Sequence, residues 1–241
     1  MPLPPSFHCA WLLLGISACA SELRHEGPGQ GQDPHLAVRR RMVAEQIEAR
    51  GVRDEAVLRA LRDVPRHLFV PPGQVDDAYE DTPLPIGHGQ TISQPYIVGL
   101  MTELARPRPT DKALEVGTGC GYQAAVLSRV VRHVFTVEIV EALGQDARAR
   151  LQKLGYENVT TRIGDGYEGW PGEAPFDIIL VTAAPEEVPQ VLVDQLKPGG
   201  RLVIPVGPTV AQELKVLEKD ATGGVRTRVV APVRFVPMIR K

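Results

Sequence analysis

Cysteine is scarce in this chain. Of three in 241 residues, Cys9 and Cys19 fall within the first 35, leaving Cys120 alone in the rest. A single thiol closes no internal bridge, so residues 36–241 must be held by core packing and suit a reducing compartment. No His or Asn arrangement points at Cys120, which reads as a small packing residue rather than a nucleophile. Long apolar runs are also missing. The stretch Phe7 to Ala18 is mostly apolar, but it falls short of the roughly 20 residues that span a bilayer. Integral membrane association is therefore not expected. Nor is charge of one sign in excess. The formal net charge is -2, and once Arg24, Glu22, Glu26 and Asp33 are set aside, residues 36–241 hold 26 basic and 26 acidic groups. That balance argues against nucleic acid or an anionic lipid surface as partner. The one basic cluster, Arg39-Arg40-Arg41, reads as the solvated face of an amphipathic helix. No internal repeat is visible, and no metal site is expected.

Residues 1–35 form a leader or disordered tail. The apolar run resembles the core of a secretory signal, and Ile16-Ser17-Ala18-Cys19 resembles a lipoprotein cleavage box in which Cys19 would carry lipid. No Lys or Arg precedes the apolar run, so an over-extended translation start stands beside the export reading. The expected location is cytoplasmic, with a periplasmic or Cys19-anchored form as the alternative.

The remainder, 36–241, has the composition of a globular domain, 43% hydrophobic and 23% charged across the chain. A helical prologue is expected over 36–70. In it, Val38, Met42, Val43 and Ile47 recur at helical spacing up to a Gly51 cap, and Asp54 opens a second helix that buries Val57, Leu58 and Leu61 and ends before Pro65. Residues 71–89, rich in Pro, Gly and Asp, read as loop. A further helix begins at Ser93 or Gln94, with Pro95 in its first turn.

From Lys112 strands alternate with helices. Ala113–Val116, His133–Val137, Val159–Ile163, Phe176–Val181 and Arg201–Pro205 read as strands, and the segments around 122–130, 140–154 and 188–196 as helices. Near-continuous apolar strands alternating with helices imply a parallel sheet covered on both faces. The segments 214–217 and 225–236 flank the turn signal Asp220-Ala-Thr-Gly-Gly224 and read as a terminal antiparallel hairpin. The expected fold is α/β: a doubly wound, mainly parallel, Rossmann-like sheet with a C-terminal hairpin and a small N-terminal helical subdomain.

Leu114-Glu-Val-Gly-Thr-Gly-Cys-Gly-Tyr122 is a glycine loop between a strand and a helix, the context of a cofactor site. Its spacing is G-x-G-x-G, and Tyr122 stands where a dinucleotide fingerprint needs glycine. Glu138 closes the next strand, where a carboxylate can accept from both ribose hydroxyls. It could equally interact with the following helix dipole. Asp165-Gly166 marks the same sheet edge one strand later. The loop carries no Gly-Lys-Ser/Thr for phosphate. A ribose-bearing ligand without phosphate fits S-adenosyl-L-methionine, with Glu115, Gly117, Gly119, Gly121, Glu138, Asp165 and Gly166 as candidate contacts.

Six segments then carry a resemblance: Pro83-Leu-Pro-Ile-Gly-His-Gly-Gln-Thr-Ile-Ser-Gln-Pro95, the glycine loop, Gly164-Asp-Gly-Tyr-Glu-Gly-Trp170, Phe176-Asp-Ile-Ile-Leu-Val-Thr-Ala-Ala-Pro185, the segment 196–207 and Val233-Arg-Phe-Val-Pro-Met238. In order and spacing over roughly 36–240 the chain resembles the protein-L-isoaspartate (D-aspartate) O-methyltransferases. The resemblance implies a Rossmann-like methyltransferase, working as a monomer, that moves a methyl group from S-adenosyl-L-methionine to the free carboxylate of isoaspartyl, and also D-aspartyl, residues in damaged proteins. The ester then closes to a succinimide. Another methyltransferase of the same cofactor class, or an exported non-catalytic binding protein of this fold, is the alternative. Ser93 matches the family's active-site serine, and capping the helix behind it is the competing role. Thr91, Ile92 and Gln94 frame the same pocket. Thr182, Ala183 and Ala184 close a strand where small side chains admit a peptide, or simply pack tightly. His88, between two glycines, is a candidate substrate contact.

Overall fold

The computed structural model describes Met1 and residues 33–240. The chain divides into two units, Met1–Asp33 and Pro34–Lys241, and every helix and strand of the described residues belongs to the second. Most of the expected leader or tail, including Cys9 and Cys19, lies outside the described residues.

The prologue opens with α1 (Leu36–Met42), which runs into a π-helical turn at Val43–Ile47 and a 3₁₀ turn at Glu48–Arg50 before Gly51 ends it at φ 103°. The expected stripe is present, with Met42, Val43 and Ile47 buried, but the helix is not continuous. Helix α2 (Glu55–Asp63) begins as its sequence demands: Asp54 Oδ1 accepts from the Ala56 and Val57 amides, satisfying two donors a helix start leaves open. Val57, Leu58 and Leu61 face inward. Arg40 and Arg41 are exposed as expected, but Arg39 departs from the solvated face. Arg39 is 4% exposed; its Nε donates to the Arg62 carbonyl at 2.6 Å and its Nη1 to the Tyr79 hydroxyl at 3.3 Å. Its partners lie 23 and 40 residues away, so no local pattern announces them.

The segment expected to be loop holds a hairpin, β1 (Leu84–Gly87) and β2 (Gln90–Ile92). His88 and Gly89 form its two-residue turn with φ 53° and 70°. Two left-handed residues in succession are what a tight hairpin turn requires, and here His88 accepts the conformation without being glycine. Helix α3 (Pro95–Leu104) follows.

The main sheet has the order β5-β4-β3-β6-β7-β8-β9. Its strands are β3 (Lys112–Val116), β4 (His133–Glu138), β5 (Val159–Ile163), β6 (Phe176–Val181), β7 (Leu196–Val206), β8 (Gln212–Lys219) and β9 (Val225–Val233). The first five in sequence are parallel, and β8 and β9 add antiparallel rungs. Helices α4 (Tyr122–Ser128), α5 (Glu141–Lys153) and α6 (Gln190–Asp194) connect them. Strand β9 stops at Val233, short of the expected Val236, because the chain leaves the sheet there.

Strand β6 shows why the sheet is covered twice. Ile178 and Leu180 pack into one core cluster, while Ile179 and Val181 pack into the other, joined by Phe176 from beyond a register irregularity. Alternate residues point to opposite faces, so an apolar run without polar alternation needs a layer on each side. Burying each such side chain contributes about 1.5–3 kcal/mol. Strand order reverses between β3 and β6, so the carboxyl ends of these two strands, Val116 and Val181, border the crevice that doubly wound sheets use for ligands.

Candidate active site

At that switch point the chain turns through Gly117 with φ 98°. A β-carbon there would lie 2.4 Å from Thr182 Oγ1, so both the backbone conformation and the space call for glycine. Thr182, immediately after β6, donates to the Gly117 carbonyl at 2.7 Å and so ties the loop to the neighbouring strand. The Gly117 and Thr118 amides both donate to the Val137 carbonyl, at 2.8 and 3.2 Å.

Two carboxyl groups stand behind this loop in different roles. Glu138 accepts from the Gly119 amide at 2.7 Å through Oε2 and from the Val140 amide at 2.9 Å through Oε1. Each oxygen has capacity for another donor, and Glu138 borders the crevice. Glu138 is thus a helix-start acceptor that also faces the crevice, and the one role does not exclude the other. Glu115 instead is fully buried and absent from the crevice lining. Its Oε2 accepts from Thr136 Oγ1 at 2.5 Å, and Thr136 Oγ1 lies 2.6 Å from Thr118 Oγ1. Burial pushes the Glu115 carboxyl up to about 8, the Thr136 hydroxyl opposes this, and Glu138 adds to the rise. Glu115 thus supports the loop from beneath, a different place from the direct contact expected of it.

The other expected cofactor residues divide similarly. Gly117, Gly119, Glu138 and Gly166 line the crevice. Gly121 begins α4 and packs on Leu151. Asp165 caps a short turn, accepting from the Tyr167 amide at 2.8 Å, and does not line the crevice.

A second cavity lies beside the first, bordered by Ser93, Gln94, Tyr96, Arg50 and Phe235. Thr91, Thr182 and Val236 line both cavities, so the two meet at a passage between two hydroxyl-bearing side chains. Ser93 faces the second cavity and also a small cleft shared with Gly117 and Gly119. The helix behind it is not capped by its hydroxyl: Gln94 is the N-cap residue of α3, and no side chain of that residue caps the helix. Among the described residues the Ser93 hydroxyl has no intramolecular partner. Asp81 supplies what the capping reading assigned to Ser93. Its carboxylate accepts from the Tyr96 amide at 3.4 Å, from Gln94 Nε2 at 2.7 Å and from Arg50 Nη1 at 2.5 Å.

Of the remaining expected substrate residues, Ala183 lines the first cavity and Gln94 the second. Ile92, 3% exposed, packs beneath the small cleft. His88 sits at the exposed hairpin tip and lines neither cavity. Sequence reasoning missed Asp81, Arg50 and the wall formed by Val236 to Ile239. The Phe-Val-Pro-Met run was the visible signal for that wall, although nothing in it indicated a direction.

The crevice lining contains one carboxylate and neither Lys nor Arg. Together with the glycine cradle, this donor set fits a phosphate-free ligand that bears hydroxyls and positive charge, as S-adenosyl-L-methionine does.

Residues 38–241 match the model of the family described as protein-L-isoaspartate(D-aspartate) O-methyltransferase. A protein-L-isoaspartate O-methyltransferase of Picosynechococcus is 58% identical over 206 residues, 86% of this chain and 92% of the relative. One from Polaromonas is 59% identical over 186 residues, 77% and 88% of the two. Among solved structures, a protein-L-isoaspartate O-methyltransferase shares 31% identity at a TM-score of 0.75, covering 82% of this chain; this chain spans 65% of that longer one. A Plasmodium falciparum structure in complex with S-adenosyl-L-homocysteine, 24% identical, has the same fold at a TM-score of 0.72, covering 84% of this chain and 99% of that one. The chain belongs to the protein-L-isoaspartate (D-aspartate) O-methyltransferase family.

Proposed function

We propose that the two cavities are the halves of one active site, in which Ser93 orients the carboxylate of an isoaspartyl residue for methylation. The family's reaction, methyl transfer from S-adenosyl-L-methionine to that carboxylate, is this chain's reaction. The observation that carries the assignment of halves is the shared passage: Thr91 and Thr182 border both cavities, and Ser93 offers an uncommitted hydroxyl next to it.

The bound cofactor supplies an activated methyl group on a sulfonium. The chain's own task is placement. The carboxylate is already ionised at neutral pH, with a reference pKa of about 3.3–3.9, so no general base is needed. Holding reactants in line can supply about 7–11 kcal/mol. Ser93 donates to one carboxylate oxygen and leaves the other directed at the passage. Gly117 and Gly119 would let the cofactor approach the backbone, and Glu138 would accept from its ribose hydroxyls. The products are a methyl ester and S-adenosyl-L-homocysteine. The amide nitrogen of the following residue then attacks the ester, expels methanol and closes the succinimide. D-aspartyl residues, whose carboxylate is likewise displaced from its usual position, are a second substrate.

Three further parts of the reading concern context. The partners are damaged proteins and peptides, not nucleic acid, in keeping with the balanced charge. In this reading the monomer is the working unit. It works in the cytoplasm, in keeping with the single cysteine of residues 36–241; no helix among the described residues is long and apolar enough to cross a membrane.

The test is transfer of labelled methyl from S-adenosyl-L-methionine to an isoaspartyl peptide, with its aspartyl twin as control. Label should enter only the isoaspartyl peptide. Equal labelling of both, or of neither, would overturn the reading.

A further inference from the structure

The wall common to both cavities is not part of the sheet. Strand β9 makes its last rung where Val233 pairs with Gln212, and the chain then continues through Phe235, Val236, Pro237 and Met238. Phe235 lines the substrate cavity, Val236 lines both, and Pro237 and Met238 line the cofactor crevice. A segment without strand neighbours needs something else to fix it, because its backbone groups must still find partners.

Three attachments do so, one of them the Tyr167 hydroxyl donating to the Met238 carbonyl at 3.3 Å. On one side Ala184 donates to the Val236 carbonyl and accepts from the Met238 amide, both at 2.8 Å. On the other, the side chain of Gln212 takes the place of a backbone rung. Its Oε1 accepts from the Phe235 amide at 2.6 Å, and its Nε2 donates to the Phe235 carbonyl at 3.1 Å. Gln212 is 4% exposed, so water does not readily replace either bond. Only a carboxamide offers both a donor and an acceptor in this planar arrangement. Glutamate keeps the acceptor alone, and methionine has a similar length with neither strong group.

We propose that Gln212 is a positioning residue for methyl transfer. By pinning the Phe235 backbone it sets the wall against which both the cofactor and the isoaspartyl peptide are placed. It touches neither ligand cavity through the bonds described, and acts through the segment 235–238.

The experiment compares Gln212→Met and Gln212→Glu with the unaltered protein. It measures KM for an isoaspartyl peptide, kcat, Kd for S-adenosyl-L-homocysteine, and amide exchange at residues 235–238. The Met variant should raise both KM and Kd, each about tenfold for the loss of two bonds, with faster exchange at Phe235. The Glu variant, which retains the bond from the Phe235 amide, should fall between. A merely structural role predicts something different: a smaller folded fraction lowers apparent kcat while the surviving molecules keep their KM and Kd. Unchanged KM and Kd in both variants would therefore overturn the proposal, whatever happens to kcat. Should the Met variant fail to fold, the Glu variant decides by the same criterion. Because Kd for S-adenosyl-L-homocysteine is read without peptide, the outcome does not depend on the identity of the methyl acceptor.

Discussion

The cofactor half and the substrate half of this site are built by different means. Around the cofactor crevice the geometry rests mainly on backbone groups, with the Glu138 and Thr182 side chains each tying down one glycine of the loop. Gly117 and Thr118 hang from the Val137 carbonyl, Gly119 donates to Glu138, and the loop springs directly from strand β3. Around the substrate cavity the walls are a short hairpin, a helix start and a segment beyond β9, and side chains fasten them: Asp81 gathers Arg50, Gln94 and the Tyr96 amide, while Gln212 holds Phe235. Placing a ligand at the ends of parallel strands needs little more than the sheet itself. Gripping a misplaced carboxylate within a peptide needs a surface assembled from elements that the sheet does not position.

Substitutions at Ser93 and Asp81 should therefore separate binding of cofactor from handling of substrate, whereas Gln212 acts on the wall that the two halves share. The largest effect on turnover is expected from Ser93→Ala. Removing a positioned donor typically costs about 100-fold or more in kcat, and because this hydroxyl makes no bond among the described residues, the melting temperature and the Kd for S-adenosyl-L-homocysteine should hardly change. A fall in melting temperature that parallels the lost activity would return Ser93 to a structural role.

Asp81→Ala should come next. It releases Arg50, Gln94 and the start of α3 together, so KM for an isoaspartyl peptide should rise several-fold and stability fall by about 1 kcal/mol. Cofactor affinity should stay as it was. Equal weakening of cofactor and peptide binding would blur the division between the halves.

The smallest change in turnover at pH 7 is expected from Glu115→Gln, because burial already favours the neutral form of this carboxyl, with a pKa of about 8. Its signature is in stability. The folded protein keeps a proton that the unfolded chain releases near the ordinary value of 4.5. Glu115's contribution is therefore complete below that value, declines as pH rises, and is lost above about 8. The slope can be no steeper than about 1.4 kcal/mol per pH unit. In denaturant titrations the Gln variant should gain on the unaltered protein between pH 5 and pH 8. A constant difference across that range would mean that Glu115 is ionised in the folded state.

The same contrast governs how much could be read before the structure. The cofactor half was legible because its signals are local: a strand, a glycine loop, a helix, then Glu138 at the next strand end. The unalternating run of β6 announced a sheet covered on both faces. Glu115 was the exception, since nothing in the spacing says that its side chain enters the sheet interior toward Thr136 instead of the crevice. On the substrate side, Ser93 and Thr91 were found through a family resemblance, while their supports were not found. Pro71, Pro72, Gly73, Pro83, Pro85, Gly87 and Gly89 made residues 71–89 look like loop, and the turn His88-Gly89 lacks the Asn-Gly or Asp-Gly that marks a tight hairpin. Asp81, Arg39 and Gln212 act across 13 to 40 residues, distances over which one sequence carries no pairing signal.

The most direct test is a crystal structure of the chain with S-adenosyl-L-homocysteine and an isoaspartyl peptide bound together. The account predicts ribose hydroxyls on Glu138, the sulfur facing the passage between Thr91 and Thr182, and the isoaspartyl carboxylate within hydrogen-bonding distance of Ser93 Oγ. A carboxylate held elsewhere, with the Ser93 hydroxyl turned to solvent, would contradict it.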